Sequence, residues 1–236
     1  MKHYALIGEH LGHSLSVPIH QAVYEKLGID ADYRLIEIPK DGFDEHVRRL
    51  FAELDGFNIT IPYKQDIMHL IDTIEPVAAQ MGAVNTVTCR DGKNTGANTD
   101  APGFEQMLRY HGINPEGKPC FVLGTGGASK AVIAALKGMG AASVTCVSRT
   151  AREGVITYQE LPEAFSGILV NTTPSGMWPK VDGCPIDPDI LPAVLKKADG
   201  VADVIYNPSE TVLTRMAKEA GVPACTGLYM LIAQAV

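Results

Sequence analysis

Cys120-Phe121-Val122-Leu123-Gly124-Thr125-Gly126-Gly127-Ala128-Ser129 runs from an apolar strand through a glycine turn into a helix over residues 129–138. That order is the context a dinucleotide-binding turn requires. The glycines let backbone N–H groups approach a pyrophosphate, and the helix start offers the positive end of its dipole. The third glycine of the G-x-G-x-x-G pattern is replaced by Ser129, so a plain strand-to-helix turn stays open as the alternative. The next strand, 143–148, ends in Ser148-Arg149-Thr150-Ala151-Arg152. In a nucleotide fold this end reaches the adenosine ribose, where an acid bonds a 2′-hydroxyl and arginine suits a 2′-phosphate. No acid precedes Glu153, which favours NADP over NAD. Solvated loop charges are the other reading of Arg149 and Arg152.

Around this turn, strands and helices alternate. Before it, strands are expected at 4–8, 33–38 and 57–61, and helices at 18–27, 43–54 and 76–81. Residues 86–89 and 95–98 flank the turn Arg90-Asp91-Gly92-Lys93-Asn94 as a hairpin, and 101–110 reads as a linking helix. After it come strands at 168–171 and 201–206 and a helix at 211–220. This βαβ alternation in two blocks implies an α/β protein with a largely parallel sheet in each, divided near residues 100–102.

The 236 residues, 46% of them hydrophobic, suffice for one large or two small domains. No apolar run reaches bilayer-spanning length, and Met1-Lys2-His3-Tyr4-Ala5-Leu6-Ile7-Gly8 reads as a strand entering a turn, not as a signal peptide. Cytoplasmic residence is expected. The scattered Cys89, Cys120, Cys146, Cys184 and Cys225 read as buried thiols, with neither a disulfide framework nor a metal site. A net charge of -7 argues against nucleic acid as a partner. An acidic protein that binds an anionic substrate must supply local donors for it.

Two polar clusters precede the glycine turn. Asn58-Ile59-Thr60-Ile61-Pro62-Tyr63-Lys64 places a lysine beyond one β-branched run, and Asn98-Thr99-Asp100 places a carboxylate after another. A lysine and an aspartate from strand ends suit proton transfer coupled to hydride transfer, which points to an oxidoreductase. A surface ion pair is the bland reading of both. Ser14 and Ser16 precede Pro18, so Ser16 reads as an N-cap and the pair as a seat for a carboxylate. His13 reads as structural. Asn58, Thr60 and Asn85 end strands and suit a polyol ring, with satisfaction of local backbone groups as the alternative role of Asn58. Tyr206 ends a strand before Asn207-Pro208, with packing as its alternative role. Gln234 is a lone amide in an apolar stretch, on the helical face of Met230.

Together these segments closely resemble the shikimate dehydrogenases across nearly the whole chain. The matching pieces include Gly12-His13-Ser14-Leu15-Ser16, the Asn58 to Lys64 segment, Gly82-Ala83-Val84-Asn85-Thr86 and Gly96-Ala97-Asn98-Thr99-Asp100. Asn171-Thr172-Thr173-Pro174-Ser175-Gly176-Met177, Tyr206-Asn207-Pro208 and the run from Gly227 to Ala235 continue the match. The resemblance implies two α/β domains with a cleft between them. Residues 1–100 would bind substrate, with a C-terminal helix at 227–236 packed back on them, and residues 101–226 would form a Rossmann-like NADP-binding domain. It implies reversible reduction of 3-dehydroshikimate to shikimate with NADPH, on the route to aromatic amino acids, without a metal. Lys64 and Asp100 would be the catalytic pair. Ser14, Ser16, Thr60, Asn85, Tyr206 and Gln234 would hold the substrate. Gly124, Gly126, Gly127, Ala128, Ser148, Arg149, Thr150, Arg152, Thr172 and Gly227 would hold the cofactor. The partner would be the small-molecule substrate, with no nucleic acid or membrane, in a monomer or homodimer.

Two departures from the family pattern stand out. Thr150-Ala151-Arg152-Glu153-Gly154 leads almost at once into Val155-Ile156-Thr157-Tyr158, where relatives carry a helix. A crossover to a parallel strand needs a dozen or more residues. Residues 155–158 are therefore expected to be irregular or not to pair in parallel, with the adenosine side of the sheet pared down. The chain also stops two residues after Gln234, where relatives continue into a longer helical tail, which leaves Gln234 expected to be loosely held. An NAD-dependent quinate/shikimate dehydrogenase and a non-catalytic shikimate-binding paralogue are the rival readings. The arginines count against the first, and retention of both Lys64 and Asp100 against the second.

Overall fold

The computed structural model describes residues 1–12 and 14–235; His13, expected to be structural, lies outside the described residues, as does Val236. The chain divides into two compact units, Met1–Thr99 joined by Ala235, and Asp100–Gln234.

The first unit runs β1 (Lys2–Gly8), α1 (Ser16–Leu27), β2 (Ala31–Glu37), α2 (Phe43–Glu53) and β3 (Gly56–Ile59). A 3₁₀ turn (Asp66–Leu70), β4 (Thr73–Ile74), α3 (Pro76–Met81), β5 (Thr86–Arg90) and β6 (Lys93–Ala97) follow. The sheet order is β2-β1-β3-β5-β6-β4. β1 lies parallel to β2 and β3, whereas β5 is antiparallel to both β3 and β6, so this sheet is mixed. The hairpin sets that reversal. Asp91 and Gly92 have φ of 53° and 70°, the left-handed pair that closes a two-residue loop in step with strand twist. α2 buries Phe43, Val47 and Leu50, spaced along one helical face, against Ile7, Phe57, Ile59 and Val87 of the sheet.

The second unit runs α4 (Asp100–Tyr110), β7 (Pro119–Leu123), α5 (Gly127–Gly138), β8 (Ser143–Ser148), β9 (Val155–Thr157) and α6 (Leu161–Ala164). It continues with β10 (Gly167–Asn171), α7 (Leu191–Leu195), β11 (Ala198–Asp203), α8 (Val212–Glu219), β12 (Ala224–Cys225) and α9 (Leu228–Ala233). The order is β12-β11-β10-β7-β8-β9, with every pair parallel. Numbered within the unit, this is the doubly wound order 6-5-4-1-2-3, in which the connections reverse direction between β7 and β10. Those two central strands read as continuous apolar runs because helices cover both faces. Leu123, Val147, Leu169, Val201 and Leu213 are fully buried in its core.

β9 corrects one expectation. It pairs in parallel with β8, Cys146 opposite Val155 and Ser148 opposite Thr157, with no helix between them. The chain drops back after Ser148 and reverses at a tight turn, where Arg152 and Val155 exchange backbone hydrogen bonds of 3.4 and 2.9 Å around Gly154 (φ 72°). A long crossover is needed only when the return must span a full strand. A three-residue strand rises about 7 Å end to end, which the six residues between Ser148 and Val155 can retrace.

The terminal helix α9 lies against α4. A Cβ on Gly103 of α4 would stand 3.0 Å from Gln234 Cβ and 3.1 Å from the Met230 carbonyl, so glycine is what lets the two helices approach this closely. Tyr110 and Tyr229 stack beside the crossing, their rings 4.2 Å apart.

Candidate active site

A cleft of about 960 Å³ opens at the C-terminal ends of β7, β8 and β10, where the connections reverse direction. Ligands of open α/β sheets bind at such a reversal. Gly124 leaves β7 with φ 96°, and a Cβ there would meet Thr173 Cγ2 at 2.9 Å and Thr172 Oγ1 at 3.1 Å. Gly126 and Gly127 have nothing within 4 Å of an added Cβ, so the space before the first turn of α5 is open to a ligand. The turn is held from behind. Buried Ser129 donates to the Gly126 carbonyl at 2.6 Å, and the Thr172 hydroxyl to the Leu123 carbonyl at 2.7 Å.

On the β8 side, the Ser148 hydroxyl donates to the Thr150 carbonyl (2.6 Å) and accepts from the Thr150 N–H (3.2 Å). This small turn presents Arg149, and the reversal into β9 presents Arg152; both are exposed and line the cleft. Lys180 lines it as well, and among the described residues no aspartate or glutamate does. In a chain of net charge -7, a wall with three cations and no acid is a local seat for an anion.

The first unit gathers a separate set at the ends of β1 and β3. Ile59 N–H donates to the Asn85 carbonyl (2.8 Å), Val84 N–H to the Lys64 carbonyl (2.8 Å), and Thr60 N–H to the Ile7 carbonyl (3.0 Å). Thr60, Lys64 and Asn85, far apart in sequence, are thereby drawn to one edge of the sheet. Gly8 permits the approach, since a Cβ there would lie 2.7 Å from both Thr60 Cγ2 and Leu11 Cδ2. Asn85 is buried, with its Oδ1 taking the Thr99 N–H at 2.9 Å and the Thr86 hydroxyl at 3.0 Å. Asn58 is held by the Tyr33 hydroxyl, which donates to its Oδ1 at 2.7 Å, and donates in turn to Thr86 Oγ1 at 3.0 Å.

Ser16 is not the N-cap. α1 starts at Ser16 itself, Leu15 occupies the cap position, and Ser14 Oγ accepts the Ser16 N–H at 3.2 Å. The serine two residues earlier has taken over the capping task. Buried His20 stacks on Tyr33 at 3.8 Å and donates from Nδ1 to the Ser16 carbonyl at 2.8 Å, while burial lowers the pKa of its imidazole. Lys64 is half-buried, and half-buried Asp100 opens α4.

Residues 6–87 match the family model described as the shikimate dehydrogenase substrate binding domain. A shikimate dehydrogenase (NADP(+)) of Clostridium beijerinckii is 39% identical over all of this chain and 90% of its own length. The chain belongs to the shikimate dehydrogenase family. A chorismate mutase/shikimate 5-dehydrogenase fusion protein from Clostridium acetobutylicum is also similar. That crystal structure has a TM-score of 0.93 and 39% identity, and the match covers 100% of this chain and 88% of that one. The shikimate 5-dehydrogenase of Thermus thermophilus, solved in complex with NADP(H) and shikimate, matches at TM-score 0.88 and 31% identity, over 100% of this chain and 90% of that one.

For a shikimate dehydrogenase, the cofactor residues expected from sequence fall into two groups. Gly124, Gly126, Ser148, Arg149, Thr150, Arg152 and Thr172 line the cleft of the second unit, whereas Gly127 and Ala128, both exposed, lie in the first turn of α5 and are not among its lining residues. Gly227 is not among the lining residues. A Cβ there would come within 2.1 Å of the Val204 carbonyl oxygen, which makes it a packing glycine at the start of α9. Sequence reasoning passed over Thr173, Ser175, Tyr158 and Lys180, which also line the cleft. Thr173 and Ser175 lay inside a quoted motif, but nothing in the sequence marked Lys180. Tyr206 is exposed after β11, and Gln234 is the C-cap of α9, held by its own helix through a 3.0 Å bond to the Leu231 carbonyl.

Among the described residues, no group of His, Cys, Asp and Glu is placed to hold a metal, and no helix is long and apolar enough to cross a membrane. The cysteines are free and buried or half-buried, and burial pushes the thiols of Cys89 and Cys120 up to about 11.

Proposed function

We propose that this chain interconverts 3-dehydroshikimate and shikimate with NADP(H). The observation that carries the reading is the cleft of the second unit in a member of this family. Its glycine turn leaves room for a pyrophosphate, and arginines stand where an NAD enzyme would place an acid. The relatives that share the full length are named for this reaction.

Reducing a ketone requires hydride at carbon and a proton at oxygen. NADPH, when bound, supplies the hydride. Lys64 holds the proton at the carbonyl oxygen and stabilises the negative charge that develops there. Asp100 accepts a hydrogen bond from the reacting hydroxyl, and its negative charge suits the first turn of α4. Ser14 and Ser16 bind the substrate carboxylate at the start of α1. Ser14 Oγ accepts the Ser16 N–H, and its hydroxyl keeps the donor that a carboxylate needs. Thr60, Asn85, Tyr206 and Gln234 bind the ring hydroxyls. Around the cofactor, Gly124, Gly126, Gly127 and Ala128 admit the pyrophosphate, with Thr172 closing the turn from behind. Ser148 and Thr150 shape the turn that lets Arg149 and Arg152 take the 2′-phosphate, and Gly227 keeps α9 close to Val204.

The test is reduced-nicotinamide absorbance with shikimate or quinate crossed with NADP or NAD. Turnover is expected with shikimate and NADP. Binding of both ligands without turnover in any combination would leave the non-catalytic reading in place.

A further inference from the structure

We propose that Asp203, at the end of β11, is a positioning residue for the dinucleotide: through Asn171 and Thr211 it sets the loop at 172–176 that forms one wall of the cleft. The inference rests on the cofactor reading of that cleft.

Asp203 and Asn171 are both 0% exposed and face each other across neighbouring strands. Asp203 Oδ1 accepts the Asn171 amide at 3.1 Å and the Ile205 N–H at 3.0 Å, and Oδ2 accepts the Thr211 hydroxyl at 2.9 Å. With its Nδ2 committed to Asp203, the Asn171 amide has one orientation. Its Oδ1 then takes both the N–H (2.9 Å) and the hydroxyl (2.7 Å) of Thr173, and Thr173 Oγ1 accepts the Ser175 N–H at 3.3 Å. This chain of bonds ends in the cleft wall, where Thr173 Cγ2 occupies the space that a Cβ on Gly124 would need.

Thr211 stands beside the far end of the same loop, where an added Cβ on Gly176 (φ 96°) would lie 3.6 Å from Thr211 Cβ. One carboxylate thus holds the Asn171 end of the loop by hydrogen bonds and the residue that flanks its other end. Burial pushes the Asp203 carboxyl up to about 6, with the Ile205, Asn171 and Thr211 donors opposing that shift. A charge this deep is costly unless its donors are all in place, which makes the arrangement all-or-none.

The test uses full-length protein with NADPH titrated by fluorescence and amide exchange measured without ligand. Asp203→Ala is expected to weaken NADPH at least tenfold and to speed exchange over residues 172–176 at least tenfold. KM for 3-dehydroshikimate should stay within twofold. Asp203→Asn keeps an acceptor for Asn171 and Ile205, and should return NADPH affinity to within about threefold of wild type. If Asp203→Ala does not fold, Thr173→Val cuts the same chain at its half-buried end, and the same acceleration of exchange is expected. Unchanged NADPH affinity or unchanged exchange in a folded variant overturns the proposal, as does an equal loss for both substrates. A wild-type chain that binds no NADPH overturns the cofactor reading first and this inference with it.

Discussion

Lys64 shows how a residue's role depends on what its backbone is tied to. Its carbonyl accepts the Val84 N–H, which fixes it beside Asn85, twenty-one positions along the chain. That bond sets the backbone of Lys64 next to the buried Asn85, the neighbourhood in which the proposed proton donor would act. Lys64→Ala should lower kcat about 10²–10⁴-fold, the range of lost acid–base catalysis, while KM changes only a few-fold. Steady-state kinetics with shikimate and NADP check this, and wild-type turnover would remove Lys64 from the mechanism. Arg149 is presented by the Ser148 turn. Arg149→Ala should reduce the NADP/NAD preference by about tenfold or more, the worth of a charge-assisted contact to phosphate. An unaltered ratio of kcat/KM values would put the 2′-phosphate elsewhere. Both residues were singled out from their neighbours in sequence. Asp203 was not, because its significance lies in a hydrogen bond to a residue thirty-two positions away.

At the level of elements, α4 and α9 meet through a close glycine contact. Gly103 meets Gln234 and the Met230 carbonyl at separations that leave no room for a larger side chain. Gly103→Val should push α9 off α4 at a cost of about 1–3 kcal/mol, as overpacking does. Because the proposed function has Gln234 bind substrate from the end of α9, KM for shikimate should rise several-fold; thermal melting and kinetics together check this, and unchanged values in both would show that the helices separate freely. Helix and strand positions followed apolar periodicity, and the Asp91-Gly92 hairpin followed from the left-handed backbone its residues favour. Two features escaped that reasoning. Ser16 lost its cap to Leu15 because Ser14 satisfied its N–H, and β9 paired in parallel because a strand so short needs little return chain.

For the whole molecule, ligand linkage gives the broadest test. A ligand that binds only the folded chain stabilises it by about 2.7 kcal/mol at a hundred times its Kd, a Tm rise of roughly 5–10 °C for a chain of this size. NADPH should produce that rise and NADH at equal concentration a smaller one; calorimetry that finds the two alike would remove the case built on Arg149 and Arg152. The α/β class, the division near residue 100 and the strand–turn–helix at Gly124 were written in local order, because periodicity, glycine and charge act over a few neighbours. Strand order, the cation-lined wall that includes Lys180, and the brace from Asp203 to Thr173 exist only after folding. Each depends on residues brought together across parallel strands, and separation in space at that range leaves no mark on separation along the chain.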